Sequence, residues 1–372
     1  MRKQSLQFFE NICNAPGPSG FEREVARMVK EYVQPHCDEV SADKLGSLIF
    51  TKHGASKKPV VLLPGHSDEI GFLIHAIHES GYLKFYQLGG WPDQVLLGQR
   101  LTILTKKGPL FGVIAAKPPH LMKADERSKV VTKDQMFIDI GCSNADEAKD
   151  MGVRVGDCAV PDSTFHTITR NVFKDGKKKG KATLAVGKAF DNRAGMFVAA
   201  EAIRRLHTEK IKHPNTVVGA ATSQEEVGLR GAATAGYKTQ PDVCLALDVD
   251  IAGDVPGIDR SQCANGLGGG VSICAYDASL IPNQALKEFV LDTAEKCKIP
   301  YTITCTAGGG TDGGAVHKVR EGCPSIYLGV PTRHIHSHVG ILDMQDLENL
   351  IELVVQLIKR LDAKTVESFT AI

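Results

Sequence analysis

Histidine, aspartate and glutamate residues recur in this 372-residue sequence directly after short apolar runs. The first group lies in the segment PGHSDEIGF, where His66 and Asp68 follow a predicted strand from Val60 to Leu63. Because alternate side chains of an extended segment share a face, His66 could bind a metal ion while Asp68 orients its ring. An H-x-D pattern by itself is more often structural than metal-binding.

Two further groups place carboxylates at the ends of predicted elements. Asp191, in KAFDNRAG, comes immediately before a helix, and a lone aspartate there is most simply an N-cap. Glu225 and Glu226 end an apolar strand in ATSQEEVGLRG, where adjacent like charges invite a positive partner. One of the two could bind metal while the other acts as a general base; a solvated pair of loop carboxylates is the equally weighted alternative.

Two more groups contain candidate ligands: the first has an aspartate and the second has three histidines. Asp248 follows an apolar strand in LALDVDIAGD, where a carboxylate needs a partner or caps a turn. In PTRHIHSHVG the residues His334, His336 and His338 alternate. If this stretch is extended, the three rings share one face, which favours a metal site more than a single histidine would.

A glycine-rich segment, AGGGTDGGAVH, has three successive glycines before Thr311 and Asp312. Glycines in a row allow the backbone to approach a bound ligand, and a flexible turn is the alternative. The segment does not match the phosphate-binding pattern G-x-x-x-x-G-K-[ST]. We therefore predict substrate-binding residues at Gly309, Gly310, Thr311 and Asp312.

The shared position of these groups favours a two-metal site over unrelated structural roles. Ligands of open α/β sheets bind at the carboxyl ends of strands, and these side chains fall there or at a helix start. Two divalent ions bring four positive charges, against three negative charges from Asp191, Glu226 and Asp248. A bridging hydroxide would complete the balance, and such paired metals lie about 3.5–4 Å apart.

Composition predicts a globular protein without a strong overall charge. Hydrophobic residues make up 42% of the chain and charged residues 23%, and 44 basic residues nearly balance 43 acidic ones. A net charge of +1 gives no field for gathering nucleic acid, and no apolar run is long enough for a membrane helix. The ten cysteines form no C-x-x-C pair. We expect a cytoplasmic protein with reduced thiols and with neither nucleic acid nor membrane as a partner.

The elements that must position the site follow an α/β pattern with an insertion. Ser19 and Glu22 resemble a capping box before a helix, and the segment from Ile70 to Ala159 has the strand-and-turn texture of a β-rich unit. After Pro161, strands alternate with helices, and KDGKKKG at 174–180 predicts a solvated turn. The predicted fold is a mixed central sheet flanked by helices, interrupted by a β-rich domain.

Several elements of the second half can be given bounds from apolar periodicity. Helices are predicted for Ala194 to Leu206, Asn283 to Cys297 and a last helix capped by Asp343, and strands for Thr216 to Ala221, Val243 to Leu247, Tyr301 to Cys305 and Ser325 to Val330.

With these segments in hand, the chain strongly resembles the M42 family of metallo-aminopeptidases. This family contains glutamyl aminopeptidases and self-compartmentalising tetrahedral peptidases, and some members have an endoglucanase label. The resemblance covers nearly the whole chain in order: NAPGPSGFE, DKLGSLI, GHSDEIGF, GGWPDQVLLGQR, FIDIGCSNADEAKDMGVRVGD, KAFDNRAG, SQEEVGLRGA, ALDVDIAGD, GGGTDGGAVH and RHIHS.

The resemblance implies roles for the site residues. It makes Glu225 the general base that acts on a metal-bridging water, with Asp68 as a second catalytic residue that orients a ligand. It makes Asp191 the carboxylate shared by both metals. The implied metal ligands are His66, Asp191, Glu226, Asp248 and His336. Two divalent ions per subunit are implied, with zinc favoured and cobalt or manganese as alternatives.

The resemblance also implies a domain plan and an assembly. A peptidase domain would comprise residues 1–69 and 163–372, and the insertion at 70–162 would be a PDZ-like dimerisation domain. Dimers of this family often build dodecamers. The chain departs from the family at His334 and His338, where tyrosine and proline are common, and at Asn192, where many members have aspartate.

The expected function is metal-dependent removal of N-terminal residues from peptides. A deacylase or carboxypeptidase on a related fold is the nearest rival, since it would recognise a carboxylate in place of a free amine. A glycosidase using Glu225 and Glu226 is weaker, because neighbours on an extended strand point apart and the histidines would be unexplained. A non-catalytic scaffold is disfavoured because both the base and the candidate ligands are present.

Overall fold

The computed structural model describes residues 1–174 and 177–371. The turn predicted for KDGKKKG at 174–180 includes residues 175 and 176, which lie outside the described residues. The helices are α1 (Lys3–Asn14), α2 (Arg23–Val33), α3 (Ala124–Arg127), α4 (Ala145–Asp150), α5 (Phe190–Thr208), α6 (Arg230–Thr239), α7 (Gln284–Cys297), α8 (Asp312–Val316), α9 (Met344–Arg360) and α10 (Ala363–Glu367), with short 3-10 turns at Asp93–Val95, Pro119–Leu121 and Lys133–Gln135.

The strands belong to an open sheet and a closed barrel. They are β1 (Glu39–Ala42), β2 (Leu48–His53), β3 (Val60–His66), β4 (Gly71–Ile77), β5 (Leu83–Leu88), β6 (Arg100–Thr105), β7 (Gly108–Ala115), β8 (Phe137–Asp139), β9 (Cys158–Pro161), β10 (His166–Lys174), β11 (Lys177–Gly187), β12 (Thr216–Thr222), β13 (Val243–Ile251), β14 (Val271–Tyr276), β15 (Tyr301–Cys305), β16 (Ser325–Arg333) and β17 (Gly340–Asp343).

Among the described residues, the open sheet has eleven strands in the order β1-β2-β12-β3-β13-β16-β17-β11-β10, with β14 and β15 attached to β16. Its centre is parallel: β12 pairs with β3, β3 with β13, and β13 with β16. The register sets Thr222 opposite His66, so the two strands end together. Parallel strands that are covered on both faces have almost continuous apolar sequences. The central strands could therefore be predicted from the sequence.

Helices cover both faces of this sheet and give it two cores. Val61 and Leu63 of β3 face the larger core, which α1, α2, α5 and α9 also line, whereas Leu62 faces a smaller core with α6 and α8. The alternation follows from the period of two along a strand. The prediction of a mixed sheet flanked by helices is confirmed.

The β-rich unit is a closed barrel with the strand order β4-β5-β8-β7-β6-β9. It has a separate apolar core that includes Phe72, Trp91, Leu101 and Ile103. The predicted β-rich insertion is therefore confirmed as a structure, while the domain bounds 1–69, 70–162 and 163–372 stay a prediction. No helix among the described residues has the length and apolarity needed to cross a bilayer.

Most bounds predicted after residue 190 are confirmed to within a few residues. Asp343 caps α9 as expected, since its side chain accepts a hydrogen bond from the backbone N–H of Gln345 at 2.9 Å. The capping box at Ser19 and Glu22 is wrong. Helix α2 begins at Arg23 without a side-chain cap, because the Ser19 hydroxyl donates instead to the buried carboxylate of Asp68, at 2.6 Å.

Candidate functional site

His66 is the last residue of β3 and is buried. Its Nδ1 lies 3.0 Å from the main-chain oxygen of Asp68, to which it can donate. This bond makes Nε2 the ring atom that faces the neighbouring carboxylates and that could hold a metal ion. Nε2 lies 3.1 Å from Asp191 Oδ1 and 3.6 Å from Glu225 Oε2. Burial alone would lower the pKa of His66, but the carboxylates of Glu225 and Asp191 raise it well above its usual value.

Asp191 connects the two histidines of the site. Its Oδ1 faces His66, and its Oδ2 lies 3.4 Å from His336 Nε2. Asp191 and Asn192 have non-helical backbone angles at the start of α5, so the N-cap alternative for Asp191 is wrong. Burial would raise the pKa of Asp191, yet hydrogen bonds from His336 and His66 hold it below the usual range.

Asn192 takes the local structural role that the sequence suggested for its neighbour. Its side-chain oxygen accepts the N–H of Gly195 at 2.8 Å, and its amide nitrogen donates to the Leu247 carbonyl at 2.8 Å. The amide thus ties the start of α5 to strand β13.

Glu225 and Glu226 follow β12 in a turn that Gln224 enters with a φ of 56°. Both backbone N–H groups donate to the carboxylate of Asp68, at 3.0 Å and 3.1 Å. Ser19 donates to the same carboxylate, which is buried. Asp68 therefore positions the two glutamates through its carboxylate. The Oδ1 atom of this carboxylate also lies 3.4 Å from His66 Nδ1, which the main-chain oxygen of Asp68 contacts as well.

Asp248 and His336 complete the cluster. Asp248 is buried near the end of β13, and its Oδ1 accepts the N–H of Val249 at 2.7 Å. His336 Nδ1 lies 2.7 Å from the Gly90 main-chain oxygen, and its Nε2 lies 3.7 Å from Glu226 Oε2. Despite burial, the carboxylates of Asp191 and Glu226 raise the pKa of His336 to about 10.

The chemistry of this donor set fits metal cations. Burial, with the added repulsion of neighbouring carboxylates, raises the pKa values of Glu225 and Asp248 well above normal and that of Glu226 to about 8. Glu226 Oε1 is buried and has no hydrogen-bond partner. Ligand atoms lie within 4.8 Å of one another in two groups: His66, Glu225, Asp248, and His66, Asp191, Glu226. Crowded carboxylates and imidazoles of this kind are stabilised by divalent ions.

The three alternating histidines do not share a face, so that prediction is wrong. Strand β16 ends at Arg333, and His334 and His336 have φ values of 61° and 54°. The resulting turn directs only His336 to the carboxylates. His338 packs against Trp91, with ring centroids 5.3 Å apart. His334 borders a small hollow beside Pro161 that Asp191 and His336 also line.

A cavity of about 390 Å³ opens over the cluster. Its wall includes Gly309, Gly310 and Thr311 of the glycine-rich segment, for which substrate binding stays a prediction. Asp312 does not border it: this residue is buried at the start of α8 and accepts a hydrogen bond from the Thr222 hydroxyl at 2.5 Å. The helix start turns its carboxylate inward, away from the cavity, and a role of Asp312 in substrate binding stays a prediction.

Sequence reasoning missed other residues of the cavity wall, including Asp250, Tyr327 and Gly90. Asp250 lies two residues after Asp248 on β13 and so shares its face of the strand, a signal that alternation alone could have provided. Gly90 comes from the barrel, and no local pattern connects it to the site.

Comparisons with known proteins show which sequences and folds the chain is similar to. Residues 46–353 match the family described as M42 glutamyl aminopeptidase. A TET aminopeptidase from a marine sediment archaeon of the Thaumarchaeota is 51% identical, with a TM-score of 0.93 and 99% of each chain covered. The glutamyl aminopeptidase of Lactococcus lactis subsp. cremoris is 35% identical over 88% of each chain. The TET1 peptidase of Pyrococcus horikoshii, which can assemble into a tetrahedron or a large octahedral shell, is 31% identical over 96% of this chain and 100% of its own, with a TM-score of 0.81.

Proposed function

Because the chain belongs to the M42 glutamyl aminopeptidase family and is therefore a peptide hydrolase, we propose that it removes N-terminal residues from peptides at a site for two divalent cations. One observation carries this proposal. The two oxygens of Asp191 face different histidines, His66 at 3.1 Å and His336 at 3.4 Å. A carboxylate in this position can be shared by two ions, each with its own imidazole.

The residues divide naturally between two cation positions. We assign His66 and Asp248 to the first position and His336 and Glu226 to the second, with Asp191 shared. Mixed imidazole and carboxylate donors suit zinc, and cobalt or manganese are alternatives. When bound, such cations polarise a peptide carbonyl and lower the pKa of water.

Glu225 is the proposed general base. Its carboxylate lies 3.6 Å from His66 Nε2 and borders the cavity, so it can reach a water that sits beside the cluster. Glu225 would accept a proton from the attacking water and return it to the leaving amine. Asp68 would support this step through its hydrogen bonds to the backbone of Glu225 and Glu226.

The glycine-rich wall is the proposed substrate-binding surface. Gly309, Gly310 and Thr311 line the same cavity as Glu225. Backbone amides and carbonyls in this position can pair with the peptide backbone of a substrate. Asp312, behind this wall, would act on its position only through the structure.

We also propose a homo-oligomer in which the barrel pairs subunits into dimers that build a dodecamer. Support comes from the assembly of the related TET1 peptidase and from the large apolar side chains that the barrel exposes. A cytoplasmic location is proposed as well; the ten cysteines are free thiols, as expected in a reducing compartment.

The proposed function is tested with paired substrates. The purified protein is given aminoacyl p-nitroanilides with free or acetylated amines, after chelation and again after zinc, cobalt or manganese is added back. An aminopeptidase cleaves only the free-amine compounds and only with metal. Equal cleavage of the acetylated compounds, or full activity after complete chelation, would contradict the proposal.

A further inference from the structure

The two histidines of the site obtain their orientation from different parts of the molecule. The Nδ1 of His66 contacts the main-chain oxygen of Asp68, two residues further along the same segment. The Nδ1 of His336 contacts the main-chain oxygen of Gly90, 246 positions away in the chain, at 2.7 Å. Gly90 follows strand β5 of the barrel, whereas His336 follows strand β16 of the open sheet. One cation position therefore depends on a contact between the barrel and the unit built on the open sheet.

The segment that includes Gly90, residues 89–93, is fixed firmly to the barrel, and we call it the barrel clasp. Trp91 is buried, lies 4.9 Å from the Phe72 ring between centroids, and donates from Nε1 to the Gly71 carbonyl at 3.2 Å. Lys133 donates to the main-chain oxygen of Trp91 at 2.7 Å and forms an ion pair with Asp93.

The clasp also closely contacts the ligands on the His336 side. A Cβ atom added at Gly90 would lie 3.0 Å from His336 Nδ1, and one added at Gly89 would lie 2.9 Å from Glu226 Oε2. Trp91 packs against His338, two residues beyond His336. A side chain at Gly89 would therefore collide with its neighbours, and one at Gly90 would have to displace the His336 ring by a few tenths of an ångström.

We propose that the barrel clasp is a positioning element that sets the cation affinity of the His336 side of the site, independently of the His66 side. The Gly90 carbonyl accepts a hydrogen bond from Nδ1 of His336 and so turns Nε2, the ring atom that would hold a cation, toward Asp191 and Glu226. Outer contacts of this kind change metal affinity by about 10–100-fold when they are lost. The inference rests on the proposed two-cation site.

The test is a calorimetric titration of the metal-free protein with zinc, using the full chain. The variant Gly90→Ala places a methyl group against the His336 ring without changing any ligand. Gly180→Ala is the matched control, because a Cβ at this exposed position meets nothing within 4 Å. In Gly90→Ala we expect one zinc to bind as in the parent and the other about 10–100-fold more weakly.

Two results would overturn the inference. In the first, both zinc ions bind to Gly90→Ala with parental affinity. In the second, the affinities for both zinc ions fall by the same factor. A parent protein that binds no zinc would contradict the two-cation site as well. Two tight zinc ions in the parent together with unaltered binding in Gly90→Ala would contradict the clasp alone and leave the proposed function intact.

A second measurement needs no variant. Trp91 is the single tryptophan of the chain, so intrinsic fluorescence reports on the clasp itself. Zinc has no d-electron absorption that would quench the emission directly. We expect Trp91 emission to change at one of the two zinc-binding steps. Emission that changes at neither step, or equally at both, would overturn the proposed coupling.

Discussion

Asp68 and Asp191 have different partners and different roles in the buried polar site. Asp191 faces outward to both histidines, whereas Asp68 faces inward and accepts hydrogen bonds from Ser19, Glu225 and Glu226. Burying a carboxylate costs free energy unless hydrogen bonds or opposite charges compensate for the lost hydration. Two imidazoles do so for Asp191, and hydrogen-bond donors do so for Asp68. The positions of Glu225 and Glu226 are consequently set by backbone contacts, which leaves both side chains free for chemistry.

At Asp191, we predict that substitution by alanine removes both metal ions. Its two oxygens lie 3.1 Å from His66 and 3.4 Å from His336, so each ion would lose a ligand. Metal content after dialysis would be measured by atomic emission. Asp146→Ala is the control, since Asp146 is 88% exposed and remote from the site. Full metal occupancy in Asp191→Ala would reject its shared role.

For Glu225, we predict that Glu225→Gln keeps the fold and both metals but lowers kcat by about 10²–10⁴-fold, because the amide cannot accept the proton. Turnover of a free-amine p-nitroanilide and metal content would be measured on the same sample. Glu24→Gln, an exposed change on α2, serves as the control. Near-parental turnover by Glu225→Gln would eliminate this residue as the base.

Some residues of the candidate site could be predicted from the sequence and others could not. His66, Asp248 and the two glutamates could be predicted because each follows an apolar strand of the parallel sheet. The prediction that His334, His336 and His338 share one face was wrong, because nothing in the sequence indicates the left-handed backbone at His334 and His336. Gly90 could not be found, since its contact joins two elements that are far apart in the chain.

At the scale of elements, buried parallel strands were the easiest to predict, because β3, β12 and β13 are apolar throughout. Helix starts were harder. Asp343 does cap α9, but Ser19 has a better partner in the buried Asp68, and tertiary contact decides between such alternatives. The glycine-rich helix α6 has little helix propensity and depends on packing against β12 and β3.

Three helices meet at a buried polar cluster around Glu201 of α5. Its carboxylate accepts hydrogen bonds from Arg204 Nε at 2.9 Å, from Ser5 of α1 at 3.1 Å and from Tyr32 of α2. Burial alone would raise the pKa of Glu201, but these donors, Arg204 above all, hold it below the usual value. The cluster therefore ties α1 and α2 to the central helix.

We predict that Glu201→Gln lowers the free energy of unfolding by about 3 kcal/mol at neutral pH, because Arg204 loses its buried partner. Since folding depresses the pKa of Glu201, its contribution is present above about pH 4.3 and is lost as the pH falls through the folded value. The difference from the parent should thus shrink in acid. Urea unfolding of the metal-free proteins, at neutral pH and again at a pH below about 4, measures this difference, with the exposed Glu321→Gln as control. A difference that is constant with pH would contradict the assignment.

At the scale of the whole molecule, the sheet and the barrel have separate apolar cores. The barrel contributes Gly90 to the candidate site and also exposes large apolar side chains, among them Tyr86, Phe111 and Leu121 at 63%, 70% and 71%. Phe111 and Val113 lie on the same outward face of β7. Exposed apolar side chains grouped on one unit are typical of an interaction surface.

We predict that Phe111→Asp lowers the mass of the assembled protein. A charge in the centre of an apolar contact must be desolvated without a partner, which disfavours association by several kcal/mol. Light scattering after size exclusion would give a parental mass well above the 40.1 kDa subunit and a smaller mass for the variant. Ser80→Asp adds the same charge to an exposed turn of the barrel and should leave the mass unchanged. If both variants assemble like the parent, the outward face of β7 is not the contact; a parent that stays at the subunit mass would contradict the proposed oligomer itself.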